Sequence, residues 1–323
     1  MRRSAFISLL LPVLLCACAQ VGEPDVRGGM PIAFGAGLES KAAIESADGL
    51  RASGIGVFAD CGGDAALFSN ERVYWSSGWT YDNIKYWTRA PHVFAAVHPY
   101  STAGSVGSGT ASFNRADGSL AISCTSGLNL GTRDLMYSQV SLPAGTYTNS
   151  SGYTVRFPMH HACAAVEFKV VNASAGTVTN VRNPRLSALR YKGTASVSAA
   201  GVLSWAVSPD VVSGSEYSQN EVTVATLPVS GNINDEATWR DVYSDGAVMV
   251  VPQEIYTRGV MFSFMFNDRN GTSKTYTFDL GDGKTVRNWV AGKRYTYIAT
   301  ITPDYIRLNV IVRDWIENEY DLT

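Results

Sequence analysis

In one short run after another, apolar side chains in this chain fall on every second position. Val166, Phe168 and Val170 alternate with Glu167 and Lys169, and Phe262, Phe264 and Phe266 share one parity. Tyr276, Phe278 and Leu280 repeat the pattern, as do Tyr295, Tyr297, Ala299 and Ile301, and then Ile306, Leu308, Val310 and Val312. A period of two puts successive side chains on opposite faces of an extended strand. The 3.6-residue period of an amphipathic helix is nearly absent. Gly, Asn, Asp and Ser separate the runs, and Asn270-Gly271 suits the positive φ of a hairpin turn. The chain is therefore expected to be all-β, built of antiparallel sheets in sandwiches or barrels. Residues 55–59 and 93–97 read as further strands. Helix is expected only in short connections such as 232–243, with Asn234 or Asp235 as a cap.

A chain of 323 residues with 46% hydrophobic content has enough apolar material for two ordinary domains. Loop-like residues cluster between 141 and 158, which places a boundary there. The start is different in kind. Arg2 and Arg3 precede an apolar run at 5–15, and Ala17 stands before Cys18. That order is a lipoprotein signal peptide, with Cys18 as the acylated residue; a plain cleaved secretory signal is the other reading. The apolar run is shorter than the roughly 20 residues that span a bilayer. The expected division is 1–17 signal peptide, 18–49 lipid-anchored segment, 50–155 N-terminal sandwich and 156–323 C-terminal sandwich. The expected location is the outer membrane or cell surface. The formal charge is −2 and basic residues are not clustered, so nucleic acid is not an expected partner.

The residues that carry chemistry form few patterns. His160, His161 and Cys163 lack the spacing of a metal site, because His160 faces away from the other two on a strand. The stretch 281–285 lacks the glycine and helix of a phosphate loop. Asp279 and Asp282 could hold calcium with turn carbonyls, or simply form a turn. No nucleophile elbow occurs. No catalytic residue, metal or cofactor is expected. Cys61, Cys124 and Cys163 are too few and too widely spaced for a disulfide framework; a Cys61–Cys124 bridge is open, and Cys163 reads as a buried thiol. The one ligand-like feature is the aromatic cluster Tyr74, Trp75, Trp79, Tyr81, Tyr86 and Trp87. Trp75, Trp79 and Trp87 could stack on sugar rings, or the cluster could fill a core and its rim.

Several segments together resemble the fimbrillin family, lipoprotein subunits of type V pili. Residues 31–34 are similar to its opening strand, and Tyr86-Trp87 followed by 93–99 to its aromatic Tyr-Trp-Pro and Phe-Phe-Ala-Tyr-Tyr-Pro segment. Residues 134–137, 157–162, 250–253, 288–297 and 312–315 resemble its later elements in the right order. The resemblance implies two transthyretin-like sandwiches in tandem, palmitate-type acylation at Cys18, and no enzymatic activity. It implies cleavage after a basic residue, here between Lys41 and Ala42, with Lys where the family's pattern has Arg. Removal of the first strand then opens a groove for a neighbour's strand. The C-terminal residues Ile306, Leu308, Val310 and Val312 are the candidate donor. Implied partners are other pilus subunits, in a homo- or heteropolymer, outer-membrane lipid, and a host glycan or protein. The contrasting reading is a non-polymerising surface lipoprotein that binds glycan through its exposed aromatics.

Overall fold

The computed structural model of the chain describes residues 29–38, 47–63, 65–100, 105–106, 109–124, 134–146, 153–211, 222–244, 246–281 and 286–315. The fold is all-β. In the first half, β1 (Ala33–Leu38) precedes a short helix α1 (Ala47–Ser53), then come β2 (Ile55–Asp60), β3 (Phe68–Trp75) and β4 (Trp79–Thr80). They are followed by β5 (His92–His98), β6 (Ser105–Val106), β7 (Gly109–Asn114), β8 (Ser119–Cys124), β9 (Met136–Leu142) and β10 (Thr154–His161). The second half opens with β11 (Ala164–Asn172), β12 (Val178–Ser187), β13 (Gly193–Val197), β14 (Leu203–Val207) and β15 (Val224–Leu227). A 3-10 turn, Glu236–Thr238, leads to β16 (Arg240–Asp241), β17 (Val248–Val250) and β18 (Gln253–Glu254). The chain closes with β19 (Met261–Asn267), β20 (Ser273–Asp279), β21 (Asn288–Trp289), β22 (Lys293–Ile301) and β23 (Ile306–Asp314).

The first sheet runs β1-β10-β9-β5-β2-β3-β4. It curls until β1, at one end, lies against β4 at the other. Its concave face holds Ile55, Val57, Phe68, Val73, Phe94, Ala96, Val155, Phe157 and Met159 in one core, together with Ile32 and Phe34. Its convex face carries Phe58, Ala95, Val97 and Tyr137 into a second, larger core. Burial on both faces explains why β2 and β5 read as continuous apolar runs rather than alternating ones. α1 stops at Gly54, whose φ of +71° suits glycine and whose N–H donates to the Leu50 carbonyl. A Cβ there would lie 2.8 Å from the Val73 carbonyl oxygen, so the helix can end against β3 only with glycine.

The larger core does not respect the midpoint of the chain. Leu120 and Ile122 of β8 pack with it, and β8 pairs in register with β13 from Leu120↔Val197 to Cys124↔Gly193. The hairpin β13–β14 thus completes a sheet begun in the first half, and Trp205 donates its indole N–H to the Ala162 carbonyl (2.8 Å). The expected boundary at 155/156 falls inside β10, which pairs with β1 and β9; the chain changes sheets at 162–163. The remaining second half forms two facing sheets, β16-β11-β22-β23 and β15-β12-β19-β20. Phe168 of β11 stacks on Phe262 of β19 at 3.8 Å and lies 5.3 Å from Tyr297 of β22.

Among the described strands most pairs are antiparallel, as the alternation implies, but two are parallel: β1 with β10 and β11 with β22. Both join strands far apart in sequence, a pairing that local hairpin signals do not report. The hairpin turn between β19 and β20 is as read: Asp268 accepts from the N–H groups of Asn270 and Thr272, and Gly271 has φ +78°. Asp235 caps the 3-10 turn by accepting from Ala237 N–H.

Candidate functional site

Of the expected residues, Trp79 and Trp87 lie beside β1 and the residues that lead into it. β1 runs parallel to β10, in register from Ala33↔Thr154 to Leu38↔Met159. Its other edge faces the segment 79–87. Ile32 N–H donates to the Lys85 carbonyl (2.9 Å), and Trp87 N–H donates to the Met30 carbonyl (3.0 Å). Pro31 and Tyr86 form an isolated antiparallel bridge. Two side chains add to this edge. The Tyr81 hydroxyl donates to the Ile32 carbonyl (2.8 Å), and the Trp79 indole N–H donates to the Ala36 carbonyl (3.0 Å). The Tyr81 oxygen also accepts from Lys85 N–H (3.2 Å). Burial raises the Tyr81 phenol above its ordinary pKa.

The inward face of β1 enters the smaller core. Ile32 is 2% exposed and Phe34 5%. The Phe34 ring centroid lies 5.4 Å from that of Phe68, 5.2 Å from Tyr81, 6.1 Å from Phe94 and 5.7 Å from Phe157. Ala33, between them, faces solvent. Burying side chains of this size contributes about 1.5–3 kcal/mol each. β1 is thus one stave of a curled wall, bonded on both edges and packed through alternate residues. Lys41, Ala42 and the lipidation candidate Cys18 lie outside the described residues.

The glycan candidates divide. Trp75 is 37% exposed, with the Arg51 guanidinium 4.2 Å from its ring centroid. Trp79 is half-buried, edge-on to Trp75 at 5.8 Å, and bonded to β1. Trp87 is half-buried among His92, Phe94 and Tyr153 at the rim of the smaller core. The cluster therefore faces inward onto the first strand more than outward. Two signals for this seat lie in the sequence: Val155, Phe157 and Met159 alternate as a strand should, and Trp79 and Tyr81 share the parity of one face.

The donor candidates lie on β23, the edge strand of its sheet, paired with β22 from Ile301↔Ile306 to Lys293↔Asp314. Ile306, Leu308 and Val310 are half-buried against the larger core, and Val312 is 44% exposed. The strand ends in an anchor. Trp315 is 3% exposed, donates its main-chain N–H to the Gly292 carbonyl, and stacks on His161 at 3.7 Å with rings 5° from parallel. His161 Nδ1 in turn donates to Asp134 (2.5 Å), a carboxylate with no exposed surface. The Cys163 thiol nearby is held well above its ordinary pKa by burial and by the Asp134 charge. A protonated, buried thiol and a histidine covered by indole make a packing cluster rather than a nucleophile with its base.

Cys61, Cys124 and Cys163 are free thiols, so Cys61 and Cys124 are not bridged. Among the described residues, no three His, Cys, Asp or Glu side chains converge as a metal site, and no helix is long and apolar enough to cross a membrane. Asp279 accepts from Gly281 N–H in an ordinary turn, and Asp282 lies outside the described residues.

Over residues 47–315 the sequence matches the profile of a family described as fimbrillin-like. No curated protein matches. Among solved structures, a fimbrial protein from Bacteroides vulgatus superposes with a TM-score of 0.58 at 18% identity, covering 88% of this chain and 99% of that one. A candidate cell adhesion protein from Bacteroides ovatus gives 0.54 at 15% identity, covering 91% and 100%. Another, from Bacteroides uniformis, gives 0.50 at 15%, covering 88% and 99%. At these identities the likeness is one of fold.

Proposed function

This chain belongs to the fimbrillin-like family, and on that premise we propose that it is a structural or adhesive subunit of a cell-surface pilus, assembled by strand exchange. The observation that carries the reading is the seat of β1. That strand precedes the segment containing Lys41 and Ala42, it is paired with β10 on one edge and held on the other by Trp79 and by the main-chain bonds of Met30 and Ile32 just before it, and it is the last stave of its wall. Cutting between Lys41 and Ala42 would free it. Its departure would expose an apolar groove and a row of unpaired backbone groups, which a neighbour's strand satisfies. In this scheme Ile306, Leu308, Val310 and Val312 of β23 are offered to the next subunit. The transthyretin-like sandwich that receives β1, including β10, acts as acceptor and the one ending in β23 as donor, with the β13–β14 hairpin tying the second half to the first. The chain is exported as a lipoprotein acylated at Cys18 and reaches the outer membrane before cleavage.

The glycan-binding alternative has weaker support, since Trp79 is bonded to β1, Trp87 packs at a core rim, and of the three only Trp75 is exposed. Electron microscopy of cells with and without the gene tests the main reading. Surface fibres containing the protein, lost on deletion, support it. A protein that stays monomeric on the surface after cleavage at 41/42 refutes it. Replacing Cys18 by Ser should abolish incorporation of labelled fatty acid, and incorporation that persists would rule out that anchor.

A further inference from the structure

The hydrogen bonds on the outer edge of β1 come partly from side chains. Tyr81 and Trp79 reach the carbonyls of Ile32 and Ala36, four residues apart, which is about 13 Å along an extended strand. A main-chain carbonyl is present at every position of every strand. These two donors therefore grip the backbone whatever side chains it carries. The Tyr81 oxygen also accepts from Lys85 N–H while Ile32 N–H donates to the Lys85 carbonyl, so this side chain completes a small ladder where no full strand is present.

Selection rests on the inward positions. Because side chains alternate along a strand, Ile32, Phe34 and Ala36 share the core-facing side. The Phe34 position is lined by four aromatic rings, which favour an aromatic occupant by edge-to-face and stacked contact. Ala36 is only partly buried, with Trp79 bonded to its carbonyl, and offers room for a small side chain. The outward Ala33 is free to vary.

We propose that Trp79 and Tyr81 form a sequence-independent clamp for the strand that occupies the β1 seat. The seat selects its occupant by the pattern apolar, any, aromatic, any, small, read parallel to β10. This rests on the strand-exchange reading and deepens it. The occupant is an extended strand of a neighbouring subunit carrying that pattern. β23 of a second copy would bring Leu308 to the Phe34 position and Val310 to that of Ala36, losing the ring contacts and adding bulk. The neighbour whose strand fits is therefore a different chain.

The test uses the full chain with a site-specific protease sequence inserted between Lys41 and Ala42, cut after folding. Release of the resident strand is followed by native mass spectrometry in the presence of excess synthetic peptide of residues 29–38. Trp79→Phe and Tyr81→Phe should each speed release by roughly 3- to 10-fold, the factor for one net hydrogen bond. Trp75→Phe, which removes no bond to β1, should leave the rate unchanged. Peptides with Phe34→Ala, or with the sequence of residues 306–314, should bind at least about tenfold more weakly than the parent. Exchange at equal rates in all three variants refutes the clamp and leaves strand exchange standing; equal binding by the β23 peptide refutes the selection rule. A resident strand that no peptide displaces refutes the exchange reading itself. In that case the clamp is decided in the uncut chain. There Trp79→Phe and Tyr81→Phe should raise amide hydrogen exchange across residues 30–36 while Trp75→Phe does not, and unchanged exchange in all three refutes it.

Discussion

Replacing Phe34 by Ala should cost the first half of the molecule about 4 kcal/mol. The side chain is 5% exposed, so nearly all of its apolar surface is withdrawn from water. Phe→Ala changes at such sites cost about 3–5 kcal/mol, as lost transfer energy plus the cavity left behind. The upper part of that range applies here. Four ring contacts within 6.1 Å disappear together, and the surrounding Phe68, Phe94 and Phe157 are fixed on three different strands and Tyr81 on the segment after β4, so they cannot all close inward. Urea unfolding followed by tryptophan fluorescence should show a lower midpoint, by about 1–2 M for a slope of about 2–3 kcal/mol/M, with that slope unchanged. Amide exchange should rise along β10, whose register partners are residues 33–38. Ala33→Ser, on the solvent face of the same strand, should lie within about 0.5 kcal/mol of the parent. A loss below about 1 kcal/mol, with β10 as protected as before, would mean that β1 is not a stave of this wall, and the argument for its seat would fail with it.

Three further outcomes are expected. In the native protein a thiol reagent at pH 8 should modify Cys61, which is half-buried, and spare Cys124, pushed up to about 11 by burial, and Cys163, held well above its ordinary value by burial; all three of these reacting together without denaturant would contradict the packing. His92 is buried and its pKa is lowered from 6.5, chiefly by desolvation, so the folded state binds fewer protons than the unfolded one; stability should be complete above about pH 6.5 and fall as the pH drops below it, and His92→Phe should flatten that slope in a series of melting curves. Trp315→Ala should destabilise the second half by about 3–5 kcal/mol and raise amide exchange at the end of β23 near Asp314, whereas a near-neutral change would show that the stack on His161 does not anchor the strand.

The strand alternation was legible because it is local. Phe262, Phe264 and Phe266 point inward as their parity requires, and the Asn270-Gly271 turn needs only its own residues. The helix α1 is not legible because 47–53 is short and carries little periodic apolar signal; Leu50 is its deeply buried anchor. The parallel pairings were not legible, since nothing at 33–38 says that its partner lies at 154–159. The aromatic cluster was seen but its direction was not. A row of Trp and Tyr residues looks alike whether it faces a sugar or a strand, and only the hydrogen bonds to Ile32 and Ala36 distinguish the two. The stack of Trp315 on His161 over Asp134 joins three segments distant in sequence, and no motif announces it.

The pairing of β8 with β13 fixes an order of events during synthesis. When the chain has been made as far as residue 160, β8 presents Leu120 and Ile122 on a sheet edge whose partner, residues 193–197, does not yet exist. The first half must wait, incompletely covered, until the hairpin that ends at Val207 has emerged. Such long-range closure makes for slow folding and a vulnerable interval. A chain that ended at 155 would carry that bare edge permanently, and would be expected to aggregate rather than survive as a free-standing half.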